Sequence, residues 1–247
     1  HQVTVPGGAT FYLKQNVGAL PIINERPGED SVQQLKSFLA SMIILAPAPK
    51  GMTGFTEEES FVIQEDGSNS AAWLNAMLVR YPARYTEIVE YLQFVLPDFA
   101  ALEFVQRGER GKQLFVTFQQ VIDGAKRAIK LDFKKLSDGE KCYFLSALIL
   151  AFNREESPVF CFWDEPDHHL ALPEIGHFIT ALRRMTNQNG QFIATTHNAE
   201  VIHRFSDENT IVLTRESHLK PTVPLPLSGL SYNGDLINAI LRGEVIG

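Results

Sequence analysis

Cysteine is scarce in this sequence, and long apolar runs are missing. The 247 residues contain two cysteines, Cys142 and Cys161, each inside an apolar run. This disfavours a disulfide framework and indicates a reducing compartment. The sequence has no run of about 18 apolar residues and no signal peptide. We therefore expect a cytoplasmic protein without a membrane partner.

Positive charge is also in deficit. Lys and Arg number 22 against 29 Asp and Glu, which leaves a formal charge of −7. Net charge therefore argues against general affinity for nucleic acid, although a local basic patch remains possible. The apolar share of 45% and the charged share of 21% are those of a globular protein that can bury a sizeable core.

The first 135 residues change their periodicity once. Helical spacings dominate up to about residue 100, in the run from Asp30 to Ile44 and in the stretches SAAWLNAML and ARYTEIVEYLQFVLPDF. From Ala101, alternating apolar and polar residues predict an antiparallel β meander over residues 101–135. Its last strand and the following turn are basic, with Lys126, Arg127, Lys130, Lys134 and Lys135. These residues form either a solvated face or a patch that faces phosphate or nucleic acid.

Residues 136–247 alternate between strands and helices. The apolar stretches PVFCFWD, GQFIATTH and NTIVLTR are separated by helical patterns, which is typical of a doubly wound α/β unit. Ligands of such sheets bind outside the carboxyl ends of the strands. Asp164, Glu165 and His197 all fall there. We expect a site at this edge of the sheet.

Three motifs in this region carry candidate chemistry. The turn LSDGE, residues 136–140, opens a helix, where free backbone N–H groups and Gly139 would accommodate a phosphate. Asp164 is suited to bind Mg²⁺, and Glu165 to orient or deprotonate a water that attacks a phosphoryl group. His197 is placed to contact a terminal phosphate. Each motif alone has an ordinary structural explanation: a helix cap, a solvated acidic turn or a structural histidine.

The order and spacing of these motifs, from about Phe133 to Arg215, resemble the head of an ABC-type ATPase. More narrowly, the chain resembles the RecF/SMC-related (OLD-like) ATPases. The signature turn would be Leu136 to Glu140, the Walker B strand Val159 to Glu165, the D-loop would lie at Asp167, and the switch histidine would be His197. The resemblance implies a P-loop NTPase-like α/β fold, with a parallel sheet flanked by helices, a helical segment and the β meander.

The resemblance also implies cofactors, partners and roles. ATP and Mg²⁺ would bind between two subunits that pair head to tail as a homodimer. Asp164 would hold the metal, and Glu165 and His197 would be catalytic. Nucleotide contacts would come from Ser137, Asp138, Gly139, Glu140 and Asp167. Relatives act in DNA repair, chromosome maintenance and phage defence, so DNA or an effector protein is the expected further partner.

One motif of such heads is missing. The sequence has no G-x-x-x-x-G-K-[ST] loop, and GERGK at residues 108–112 has the wrong spacing and no hydroxyl after the lysine. Because the chain also starts at His1, we expect one portion of an ATPase domain, the C-terminal part of a head. It would comprise residues 1–100 with the helical segment, the meander at 101–135, and the catalytic lobe at 136–247. Alone, this portion should bind ATP weakly.

Two other functions stay open from the sequence. The chain could be an interaction domain that works without nucleotide. It could also be a metal-dependent hydrolase or nuclease built on Asp164, Glu165, Asp167, His168 and His169, whose side chains can ligate transition metals. The second alternative leaves the signature turn unexplained.

Overall fold

The structure is a computed structural model that describes residues 2–4, 10–12, 30–153, 158–186, 190–204, 209–230 and 235–243. The chain divides into two units, His1–Met42 and Ile43–Gly247. The first unit contains the antiparallel strands β1 (Gln2–Thr4) and β2 (Thr10–Tyr12) and the helix α1 (Asp30–Ala40). All of the predicted site residues fall in the second unit.

The second unit is built around a parallel sheet of three short strands. Strand β8 (Phe160–Trp163) lies between β3 (Ile43–Leu45) and β9 (Gln191–Ala194). Cys161 and Trp163 are buried on one face of β8, as are Ile43 and Leu45 on the same face of β3. Strand β8 is therefore the central strand that its apolar sequence predicted.

Strand β3 corrects the predicted helix from Asp30 to Ile44. The helix ends at Ala40, and the Ile-Ile-Leu stretch pairs with β8 instead. Ile43 is 5% exposed and Leu45 is fully buried. β-Branched residues suit a strand, and burial against β8 outweighs the local helical spacing.

A long buried helix, α4 (Asp138–Phe152), supports the catalytic region. Ser137 and Glu140 form a reciprocal capping box at its start: the Glu140 N–H donates to the Ser137 hydroxyl at 3.2 Å, and the Ser137 N–H donates to the Glu140 carboxylate at 2.7 Å. The helix is buried around most of its circumference, and the Phe144 ring lies 4.7 Å from that of Phe133. A helix covered on so many sides holds its first turn in a fixed position.

The antiparallel sheet confirms the predicted meander and adds a strand. Its members are β4 (Phe55–Thr56), β5 (Phe99–Arg107), β6 (Gly111–Ile122) and β7 (Ala125–Asp132). Strand β6 pairs with each of the other three. Leu114, Val116 and Phe118 of β6 point into the core. The two predicted helices before the sheet are α2 (Ser70–Arg80) and α3 (Arg84–Val95).

The remaining elements follow β8 along the chain. They are α5 (Leu172–Thr186), α6 (Ala199–Arg204), β10 (Ile211–Thr214), β11 (Val223–Pro226) and α7 (Leu236–Leu241). The expectation that NTIVLTR extends the parallel sheet is wrong for the described residues, since β10 pairs antiparallel with β11. A stretch with alternate residues exposed, as in β10, can form a hairpin without a covered sheet.

None of the described helices has the length and apolar character needed to cross a bilayer.

The two cysteines give a test of the core. Both are free and buried, and burial raises the pKa of each thiol to about 12; the nearby Asp138 charge adds to the effect at Cys142. At pH 8 neither is a thiolate in the folded chain, whereas an unfolded cysteine has a pKa of about 8.5. We expect Ellman's reagent to label both thiols in 8 M urea and neither at an appreciable rate in buffer. Rapid labelling of the folded protein would contradict this packing.

Candidate functional site at the carboxyl end of the parallel sheet

The three parallel strands end at one place. The backbone N–H of Asp164 donates to the Leu45 carbonyl at 2.7 Å, and the N–H of Thr195 donates to the Trp163 carbonyl at 3.2 Å. The pairing of β3, β8 and β9 therefore continues one residue past β8, and the residues that follow each strand share an edge. The predicted acidic pair and His197 come together at this edge.

Thr195 connects the two carboxylate-bearing residues. Its hydroxyl donates to Oδ1 of Asp164 and accepts the backbone N–H of Glu165 at 3.0 Å. The first bond leaves Oδ2 of Asp164 free of this partner. Thr195 was not among the predicted site residues. The available signal was a hydroxyl two residues before His197, at the end of the neighbouring buried strand.

Glu165 is held in an unusual backbone conformation. Its φ of 45° lies in the left-handed region, which costs a non-glycine residue on the order of 1–3 kcal/mol. The Thr195 hydroxyl accepts its N–H, and its carbonyl accepts the N–H of His168 at 3.0 Å. Strain of this kind concentrates at functional sites, and here it turns the carboxylate out of the strand direction.

Two histidines flank the Glu165 carboxylate. Nε2 of His197 lies 3.2 Å from Oε1, and Nδ1 of His168 lies 3.6 Å from Oε2. His197 is 88% exposed and Glu165 39% exposed, so water reaches both groups. The arrangement can hold a proton or a water molecule between a carboxylate and an imidazole.

Asp167 belongs to the same turn but points away from solvent. It is 9% exposed, and its Oδ1 has no hydrogen-bond partner among the described residues. A buried carboxylate oxygen without a donor is costly. The turn that follows Glu165 therefore stores unfavourable free energy at two residues, Glu165 and Asp167.

The signature turn lies against this same turn within one chain. A Cβ added at Gly139 would sit 2.9 Å from the His169 carbonyl oxygen, so only glycine fits this approach. Asp138 Oδ2 lies 4.0 Å from Nδ1 of His169. The side chains of Ser137 and Glu140 are engaged in the capping box of α4. The start of α4 and the residues after Glu165 therefore form a continuous surface.

A cleft of about 150 Å³ lies over the acidic pair. Its lining residues are Ala46, Pro47, Cys142, Trp163, Asp164, Glu165, His168 and His169. Clefts that enclose a whole cofactor usually measure about 300–1,000 Å³. This cleft has room for a hydrated cation and a phosphate group, and a nucleotide would need further walls.

The donor set fits a hard cation that also binds phosphate. No group of three or more His, Cys, Asp or Glu residues in the described part of the chain could hold a metal ion alone. Mg²⁺ needs only one or two carboxylates when phosphate and water complete its shell, and Asp164 offers one. The same finding gives no support to a hydrolase with a protein-only metal cluster at Asp164, Glu165, Asp167, His168 and His169.

A family model identifies the class of protein. Residues 23–203 match a model that describes an AAA domain and names the AbiEii toxin of type IV toxin–antitoxin systems. Since the match spans most of the 247 residues, the chain belongs to this AbiEii-like family of AAA domains. It is therefore an ABC/SMC-like ATPase of the P-loop NTPase-like fold, as the sequence motifs predicted.

Solved structures with a similar fold are SMC heads. One SMC ATPase, from work on ATP-driven dimerisation and DNA-stimulated activation, matches with a TM-score of 0.44 and 17% identity, over 62% of this chain and 90% of that chain. A Pyrococcus yayanosii Smc head with coiled coil and joint gives 0.48 and 16%, over 71% of this chain and 32% of that one. A Pyrococcus furiosus Smc head bound to the C-terminal domain of ScpA gives 0.43 and 17%, over 65% and 39%. No curated protein matches.

Thr195 provides a test of the site that does not depend on activity. Thr195→Val keeps the shape of the side chain and removes both hydroxyl hydrogen bonds, which leaves the Glu165 N–H without its acceptor. We expect the free energy of unfolding to fall by about 1–3 kcal/mol. Thr195→Ser keeps the hydroxyl and should lose less. Urea denaturation measures both, and equal stability of Thr195→Val and wild type would contradict the bridge.

Proposed function

We propose that this chain carries the hydrolytic carboxylates of an ATP-hydrolysing head. The observation that supports the proposal is the joint position of Asp164, Glu165 and His197 at the carboxyl ends of three parallel strands, with Thr195 bonded to the first two. Family membership adds that the chain belongs to a class of nucleotide-binding ATPases. The roles of individual residues are inferred from their contacts.

Glu165 acts as the general base in this proposal. It accepts a proton from the water that attacks the γ-phosphorus, while the bond to the oxygen that bridges the β- and γ-phosphates breaks and ADP leaves. His197, 3.2 Å from the Glu165 carboxylate, contacts the γ-phosphate and orients the base. The Thr195 bonds keep Glu165 turned toward the cleft during this step.

Asp164 would hold Mg²⁺ through Oδ2, because Oδ1 accepts the Thr195 hydroxyl. Bound there with phosphate oxygens and water, Mg²⁺ neutralises charge on the transferring phosphoryl group. The rest of the proposed chemistry belongs to the residues of this chain.

The phosphate cradle must come from other polypeptide. The sequence contains no G-x-x-x-x-G-K-[ST] loop, and the cleft of about 150 Å³ is too small for a nucleotide. We propose that residues outside this sequence supply the cradle, either in the same gene product or in a partner protein. This chain alone should then bind Mg-ATP weakly.

The start of α4 would act on the nucleotide of a second subunit. Backbone N–H groups at Asp138 and Gly139, with the positive end of the helix dipole, favour a γ-phosphate there. Ser137, Glu140 and Asp167 would complete this surface in a head-to-tail homodimer. The ATPase cycle of that dimer would serve DNA repair or defence, with DNA or an effector protein as partner.

Glu165→Gln tests the base. We expect hydrolysis to fall by about 10²- to 10⁴-fold while Mg-ATP binding is retained, because glutamine keeps the shape but cannot accept the proton. Calorimetry and phosphate release would be measured on the gene product that includes any sequence preceding these residues, and on this chain alone. Glu216→Gln, on the exposed β10–β11 connection, is the matched control. Unchanged hydrolysis in Glu165→Gln would refute the assignment.

A mixing experiment tests the head-to-tail dimer. Ser137→Asp preserves the helix cap, since aspartate caps as well as serine, but its charge repels phosphate. We expect Ser137→Asp and Glu165→Gln proteins to be inactive separately, and an equal mixture to recover roughly a quarter of wild-type activity. Half of its dimers would be mixed, and each of those would have one intact site of two. If the mixture stays inactive, the signature turn does not act in trans.

A further inference from the structure

The antiparallel sheet reverses the charge of the molecule. Residues 99–135 contain eight Lys and Arg against four Asp and Glu, a net charge of +4 in a chain of −7, so the remainder carries −11. The sequence left two explanations for its basic residues: a solvated face or a patch for phosphate. The arrangement of β6 and β7 distinguishes them.

The ends of β6 and β7 project as a two-stranded ribbon. Pairing of β5 with β6 reaches only as far as Phe118, whereas β6 and β7 stay paired from Gln119↔Ala128 to Ile122↔Ala125. Asp123 and Gly124 close the ribbon with φ angles of 52° and 76°, the left-handed pair of a tight hairpin turn. Every residue from 119 to 130 is exposed. We call residues 119–128 the β6–β7 ribbon.

Each face of the ribbon combines a cation with aliphatic surface. Lys126 lies directly opposite Val121, which is 62% exposed, and these two share one face. Arg127, opposite Gln120, shares the other face with Ile122 and with Ile129 just beyond the ribbon, which are 39% and 56% exposed. Within the part of the chain that the structure describes, no carboxylate pairs with Lys126 or Arg127. Lys130, by contrast, pairs with Glu103.

A purely solvated ribbon does not explain this composition. Lysine on an edge strand discourages strand addition, which would account for Lys126. It does not account for three β-branched aliphatic side chains exposed beside two unpaired cations. Aliphatic surface framed by cations fits a polyanion whose sugars and bases present apolar contacts between charged groups.

We propose that the β6–β7 ribbon binds duplex nucleic acid by entering the major groove. A two-stranded ribbon is an element that this groove, about 12 Å wide, admits. Lys126 and Arg127 leave opposite faces of the ribbon and contact the phosphates that border the groove. Val121 and Ile122 lie against the base edges and methyl groups. The acidic remainder of the chain keeps the contact local to the ribbon.

Salt-dependent binding of a fluorescein-labelled 30-bp DNA duplex, read by anisotropy, tests the proposal. We expect the wild-type chain to bind and its affinity to fall steeply with salt. Lys126→Ala/Arg127→Ala should bind several-fold more weakly and flatten the plot of log K against log salt by about 2, one for each phosphate that the variant no longer neutralises. Arg215→Ala/Lys220→Ala removes two exposed cations outside the sheet and should leave slope and affinity unchanged.

Further arms separate other causes. Val121→Asp puts a carboxylate opposite Lys126 at an exposed position, so it should fold normally and abolish duplex binding. Equal slopes for the two double variants would overturn the proposal. So would polyglutamate competing as well as unlabelled duplex, which would indicate an acidic protein partner, or a single strand binding more tightly than the duplex. Melting temperatures should agree among the variants. None of these results depends on ATP hydrolysis.

Discussion

The structure depends on strand β8 being central. Its buried residues, Cys161 and Trp163, are covered by the core, and its pairing with β3 and β9 continues to the last residue before the acidic pair. Because the strand ends there, Asp164 and Glu165 must leave the sheet at once. The two carboxylates meet the Thr195 hydroxyl because β9 ends at the same level. The site is therefore a consequence of strand register.

The left-handed conformation of Glu165 links this register to chemistry. A chain that continued as a strand would place the Glu165 carboxylate on a face of the sheet. The φ of 45° instead brings it between His168 and His197. The Thr195 hydroxyl and the His168 N–H offset part of that strain. The following turn carries it to His169, whose carbonyl meets Gly139, so the acidic pair and the start of α4 are mechanically connected.

Charge is distributed as unevenly as strain. The proposed hydrolytic edge is acidic and gathers a cation and phosphate, whereas the β6–β7 ribbon is the projecting cationic element of the antiparallel sheet. The two surfaces belong to different sheets of one unit, joined through α4 and its packing against Phe133. A chain with a net charge of −7 can thus present a local surface of opposite sign without general affinity for polyanions.

Sequence alone determined the element types and the positions of the motifs. The apolar run before Asp164 required a buried strand, the Ser137–Glu140 spacing required a capped helix, and alternation over 101–135 required a meander. Tertiary structure decided which strands pair. Ile43–Leu45 left the predicted helix to join β8, β10 turned to β11, and Thr195 met Asp164, all through partners distant in sequence. Local periodicity records which face of an element is apolar, whereas the choice of partner is settled by burial across the whole core.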